Sequence, residues 1–334
     1  MEPEVYKDSN SIRTIEYKVA HSDDGRTVKE IMSGKLGFSV KELTRCKQFD
    51  DGLMVKRSEE RADEGQSERS VDSSDHSGIF LPVMVKAHLH EGDILRIKIY
   101  EANENAGEVI PSDIPIDIVY EDEDLILINK PGDMVVHPSY AHHTDSLSNA
   151  LAGYYLKTGQ EHVIRTIGRL DRETSGLILF AKNRYSAARL SNQKENMSRR
   201  KEYLAIACGV FDKEEGTVDA PIGETDTRMI RRVSEDGKKA VTHYRVEKQF
   251  ETFALIRLSL ETGRTHQIRV HMKHIGHPLL GDSLYGKEIQ DSCGLARAAL
   301  HAAHLEFVHP VSGEFLTFDA QMPQDMQAAL RIER

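Results

Sequence analysis

From about residue 115 onward the chain is a succession of strand-like runs, with helical segments inserted at irregular intervals. DIVYEDEDLILINKPG offers two runs closed by a turn at Pro131–Gly132, and KEYLAIACGVF, VTHYRVEKQF and FALIRLSLETG offer three more. HLEFVHPVSGEFLTFDA reads as a hairpin around Pro310 to Gly313. SLSNALAGYYLK, RYSAARLSNQKEN and THQIRVHMKHIG carry helical spacing, the last stopping at Gly276. A doubly wound sheet needs regular alternation of strand and helix. Its absence predicts an α+β fold.

Ahead of this lies a smaller α/β unit, predicted over residues 26–100. TVKEIMSGKLG has Val28, Ile31 and Met32 at helical spacing, and Ser39 with Glu42 forms a capping box for a helix bearing Lys41 and Arg45. GLMVK and ILRIKIYE read as strands, the second alternating as a half-buried strand should. Between them, residues 57–78 hold seven acids, three arginines and almost nothing to bury, which predicts a mobile insertion. Residues 1–25 read as an N-terminal extension, 101–114 as a linker, and 115–334 as the main domain. Two domains suit 334 residues at ~100–200 each.

Partners and compartment are constrained next. No apolar run approaches the ~18 residues of a membrane span, and the polar N-terminus has no secretory h-region. Cys46, Cys208 and Cys293 are scattered, as in a reducing cytosol. The net charge of −10 argues against a polyanion partner, but its distribution does not. Residues 161–201 hold ten basic residues against four acids, a local net of +6.

That basic block contains IGRLDRETSGLILFAKN, where Asp171 stands between Arg169 and Arg172 immediately before an apolar run. An aspartate there serves most simply as a turn residue. At the edge of a packed interior, however, its charge needs cationic support. SRRKEYLAIACG sets Arg199, Arg200 and Lys201 beside Tyr203, charge for phosphate next to a ring for stacking. ETGRTHQIRVHMKHIGHP carries Arg264, Arg269 and four histidines, His266 among them. His271 and His274 lie one helical turn apart, yet no cysteine is near and the zinc-type spacing is missing, so solvent- or RNA-facing histidines are expected instead of a metal site. Lys130 sits at the strand-end turn of INKPGD.

In this order, INKPGDMVVHP, IGRLDRETSGLILFAKN, KEYLAIACG, TGRTHQIRVHMKHIGHPLLGD and RAALHAAHLEFVHP resemble the signatures of the RluA family of RNA pseudouridine synthases, from about Val119 to Pro323. The N-terminal unit resembles the α-L RNA-binding module. One departure is Gly168, where the family usually has histidine. The resemblance implies a mixed, largely antiparallel sheet and isomerisation of uridine to pseudouridine in RNA, with Asp171 catalytic, Tyr203 under the uracil and Arg269 paired to Asp171. It also implies Arg169 holding the target nucleotide out of its stack, and no cofactor. RNA contacts are expected from Arg169, Lys130, Arg199, Arg200, Lys201, Arg264, His266, Lys41 and Arg45. Ribosomal RNA is the preferred substrate, with transfer RNA open, and a cytoplasmic monomer is expected. The principal rival is a non-catalytic RNA-binding protein that retains the fold. A metal hydrolase on the histidine-rich segment and a hydrolytic glycosidase are weaker, the latter because no second acid accompanies Asp171 in a comparable motif.

Overall fold

The computed structural model describes residues 12–58, 78–101, 109–195, 200–225, 227, 230–286 and 293–332. The chain divides into two compact units: residues 1–105 with 161–163 and 183–189, and the remainder. Arg199 and most of the acidic insertion lie outside the described residues.

The first unit contains β1 (Ile12–Lys18), α1 (Val28–Glu30) continued by a π-turn over Ile31–Lys35, and α2 (Val40–Cys46). Then come β2 (Leu53–Lys56), β3 (Leu81–Pro82) and β4 (Ile94–Tyr100), in an antiparallel sheet of order β1-β4-β2-β3. The capping box on α2 forms: Glu42 N–H donates to the Ser39 hydroxyl, and the Glu42 carboxylate accepts from Ser39 N–H. Alternating burial along β4 puts Leu95, Ile97 and Ile99 inside. The extension expected over residues 1–25 is corrected by β1, which pairs with β4 from Ile12↔Tyr100 to Lys18↔Ile94. Of its two isoleucines Ile12 is exposed and only Ile15 is buried, the other positions being polar or the half-buried Tyr17. β1 is supported by main-chain pairing, which sequence periodicity registers weakly.

The second unit is built on β5 (Ile118–Glu121), β6 (Leu125–Lys130), α3 (Leu147–Thr158), β7 (Arg165–Ile167) and β8 (Ser175–Ala181). Helix α4 (Arg184–Glu195) begins in the residues grouped with the first unit. It is followed by β9 (Arg200–Cys208), β10 (Glu215–Asp219), β11 (Ile222–Glu224), β12 (Arg231–Val233), β13 (Val241–Gln249) and β14 (Phe253–Leu260). The chain ends with α5 (Gln267–His274), β15 (Leu300–Val308), β16 (Phe315–Asp319) and α6 (Gln324–Ile332). The large sheet runs β10-β13-β14-β9-β15-β8-β6-β5, with β16 on β15 and β7 on β8. Its pairings are antiparallel except β15 with β8. The expected α+β class is thereby met. Every residue of β8 is buried, as its uninterrupted apolar run requires.

Candidate active site

The sheet's period of two decides what faces the cleft. On β9, Lys201 and Tyr203 fall on one face. Tyr203 stands opposite Leu258 on one side and Ala302 on the other. Together with Leu179, Leu260 and Leu305 they line a cleft of ≈330 Å³, at the small end of the ~300–1,000 Å³ typical of ligand sites. Its rim is Ile167, Gly168 and Arg169 on one side and Thr262 and Gly263 on the other. The Lys201 ammonium lies 5.5 Å from the centroid of the Tyr203 ring. Gly168 has φ +89°, a left-handed conformation in which a histidine would be strained, so the backbone itself accounts for glycine there.

Asp171 follows the cleft-lining Arg169 by two residues; its side chain is 16% exposed, and Arg169, 60% exposed, reaches to 3.7 Å from its Oδ1. Behind it lies Arg269, and here the expected pairing is corrected. Arg269 Nε and one terminal nitrogen donate to both Asp282 carboxylate oxygens, at 2.7 and 2.6 Å, and the same nitrogen donates to Glu173 at 2.9 Å. The guanidinium fork is thus occupied by Asp282 and Glu173, and Asp171 acts on it only through space. Burial works against the charge, but the Asp282 hydrogen bonds outweigh it and hold the Arg269 pKa above the ordinary arginine value. Asp282 also accepts the Leu284 and Tyr285 N–H groups, and Glu173 accepts Ala298 N–H. The sequence reading missed Asp282, Glu173 and Tyr285. A buried arginine needs a carboxylate, and the acid closing HPLLGD was a visible candidate.

The RNA-contact residues divide. Arg169 and Lys201 line the cleft, Arg200 is exposed beside Glu202 at 2.5 Å, and Arg264 is exposed with its Nε donating to the Lys239 carbonyl. Lys41 is exposed and Arg45 half-buried on α2 of the first unit. His266 is half-buried in a left-handed conformation, with Nδ1 2.9 Å from the Tyr285 hydroxyl. Burial pushes its pKa down, while the nearby Asp171 charge pulls the other way. The expectation for His271 is corrected: it is wholly buried, with Nε2 at the Ala220 carbonyl and Nδ1 at the Thr242 hydroxyl. Both nitrogens are therefore spoken for within the fold, whereas His274 is exposed.

Lys130 is the third correction, because its side chain is fully buried and unable to meet RNA. Its ammonium donates to the carbonyls of Pro131 and Met134 at 2.8 Å and of Arg172 at 3.1 Å. Met134 N–H donates to the same Arg172 carbonyl, so the turn after β6 is tied to the loop bearing Asp171. Arg172, unassigned by the sequence, pairs with Asp133 at 2.7 Å. Burial, then the Arg297 charge, push the Lys130 pKa down to about 7. A base whose folded pKa lies below its unfolded value takes up a proton on unfolding, so its contribution makes stability rise with pH between about 7 and 10.5. Lys130→Met is expected to flatten the pH dependence of unfolding free energy in that window, measured by urea titrations from pH 7.5 to 9. Equal slopes for the two proteins would refute the assignment.

This arrangement offers a cleft lined by leucines, an aromatic ring, an arginine and a lysine, with a carboxylate 3.7 Å from that arginine. Comparison with known proteins points the same way. Residues 124–274 match the family model described as RNA pseudouridylate synthase. The uncharacterized RNA pseudouridine synthase YjbO of Bacillus subtilis is 43% identical over 253 residues, covering 75% of this chain and 88% of the relative. Ribosomal large subunit pseudouridine synthase D of Escherichia coli is 42% identical over 236 residues, covering 67% of this chain and 72% of the relative. The structure titled Human RNA Pseudouridylate Synthase Domain Containing 4 superimposes with a TM-score of 0.54 at 26% identity, covering 64% of this chain and 92% of that one.

Proposed function

This chain belongs to the RluA family of RNA pseudouridine synthases, enzymes that isomerise uridine within RNA, and from that premise we propose that Asp171 is its catalytic carboxylate and ribosomal RNA its substrate. The observation carrying the residue assignment is the setting of Asp171: largely shielded, within electrostatic reach of the buried Arg269 charge, and 3.7 Å from the exposed, cleft-lining Arg169. The substrate class follows the relatives whose names specify the large ribosomal subunit.

A uracil inside a helix is out of reach of any side chain, so the target nucleotide is extruded into the cleft at a cost of a few kcal/mol. Stacking on Tyr203 returns roughly 1–3 kcal/mol, and Arg169 on the rim is placed to fill the vacated space. Asp171 then acts by one of two routes. Its carboxylate attacks the anomeric carbon as the carbon–nitrogen bond breaks, or it removes the 2′ proton and the same bond breaks by elimination. In both, the detached uracil turns within the apolar cleft and its carbon 5 bonds to the anomeric carbon, displacing the Asp171 carboxylate in the first route and with the 2′ proton returned in the second. The carbon 5 proton then leaves and N1, freed from the sugar, takes one up. Leu179, Leu260 and Leu305 limit access of water to the detached sugar. The balance is that of an isomerisation.

The test is a map of pseudouridines in total RNA from cells with and without the gene. At least one ribosomal site is expected to vanish on deletion and return with the wild-type gene; an unchanged map would overturn the proposal. Affinity is also expected to fall with salt, by about 0.7 in log–log slope for each phosphate neutralised on a single strand. Arg169→Ala and Lys201→Ala are each expected to reduce that slope by about one contact, read by filter binding between 50 and 200 mM salt.

A further inference from the structure

Tyr140 is 96% exposed, on a segment that no step above uses. A large aromatic side chain held almost wholly in water has apolar surface available for a partner. Its backbone is fixed. Ser139 and His142 exchange both main-chain hydrogen bonds at 3.0 Å, closing a tight turn with Tyr140 at its tip. The His142 ring meets Asp145 at 2.8 Å, and the Asn149 side chain donates to the His143 carbonyl at 3.0 Å. His143 sets its ring edge toward Tyr140, centroids 6.1 Å apart at 64°.

The turn belongs to the catalytic neighbourhood. His137, three residues before Tyr140, lies 3.2 Å from the hydroxyl of Thr166, next to the cleft-lining Ile167. Met134, at the head of the same segment, is bonded to the Arg172 carbonyl beside Asp171. Burial and then the Arg169 charge lower the His137 pKa, which places that arginine close by. An aromatic face suits an unpaired nucleobase, on which the ring stacks, while Arg169, close to His137 on the same segment, is a cation available to a phosphate.

Resting on the reading of this chain as an RNA-modifying enzyme, we propose that Tyr140, braced by His143, is a stacking platform for an unpaired base near the target uridine, and thereby a determinant of which uridine is chosen. The rigid turn makes the platform available without reorganisation, so the ring contributes to RNA affinity and leaves the chemical step untouched.

The chain contains no tryptophan, so Tyr140→Trp introduces a single indole reporter. Ribosomal RNA transcribed in vitro is the first ligand, with the transfer RNA pool as the second. Binding is expected to quench the indole, and replacing bases around the mapped uridine one at a time with abasic sites is expected to abolish the quench at one position. Tyr140→Ala is expected to raise KM and Kd about 5- to 150-fold with kcat at saturating RNA unchanged, whereas Tyr140→Phe behaves as wild type. Unaltered melting temperatures for all three variants verify that folding is intact. An unquenched indole together with wild-type affinity of the alanine variant for both RNAs would overturn the proposal and assign the ring to a protein contact. Binding and fluorescence are read without turnover, so failure of the isomerase reading, a wild-type protein that forms no pseudouridine, is a separate result.

Discussion

Replacing Arg269 with methionine is expected to destabilise the protein by about 3–5 kcal/mol, the cost of leaving buried charge uncompensated. The expectation follows from its partners. Asp282 is completely enclosed and Glu173 partly buried, and the guanidinium is the cation that both address. Methionine replaces the aliphatic stem of the side chain but supplies no donor. Arg269→Lys keeps the charge without the fork that spans the two Asp282 oxygens, so an intermediate loss is expected. Removing both charges, as in the Arg269→Met, Asp282→Leu double variant, is expected to recover part of the stability, since a buried pair is often replaceable by apolar groups where a single survivor is not. Urea denaturation gives all three values. If the methionine variant unfolds at the wild-type midpoint, the buried triad is not holding this part of the fold together.

The second large effect concerns chemistry and spares the fold. Asp171→Asn is expected to lower isomerisation by at least roughly 10²–10⁴-fold, the range attributed to a positioned acid or base. Its stability is expected to stay within about 1 kcal/mol of wild type, because the ionic contact of Asp171 is a 3.7 Å approach to a largely exposed arginine. RNA affinity is expected to persist, since Arg169, Lys201 and Tyr203 remain in place. Single-turnover tritium release from 5-tritiated uridine in the RNA reads the rate. An asparagine variant that retains full cellular function would identify a binding protein that has kept the fold of an enzyme.

The contrast between the two residues shows what each level of description decides. The strands β4, β8 and β9, the capped helix α2 and the hairpin of β15 and β16 follow from periodicity, capping and turn chemistry, all of which act over a few residues. The joint placement of Lys201 and Tyr203 on one strand face is likewise local, a consequence of the two-residue repeat. The family signatures single out both Asp171 and Arg269, although the Arg269 fork is taken by Asp282 and Glu173 and Asp171 acts on it through space.

Partner identity was another matter. Arg269 meets Asp282, Lys130 meets the Arg172 carbonyl, and Ile12–Lys18 completes a sheet begun some eighty residues later. Each contact joins groups far enough apart in sequence that no local pattern ranks one partner above another. The sequence by itself determined most of the elements and singled out Asp171, Tyr203 and Arg269 as the candidates for chemistry. Only the tertiary structure decided which charge neutralises which, and which lysine faces solvent, because burial and ion pairing depend on the folded neighbours that surround each group.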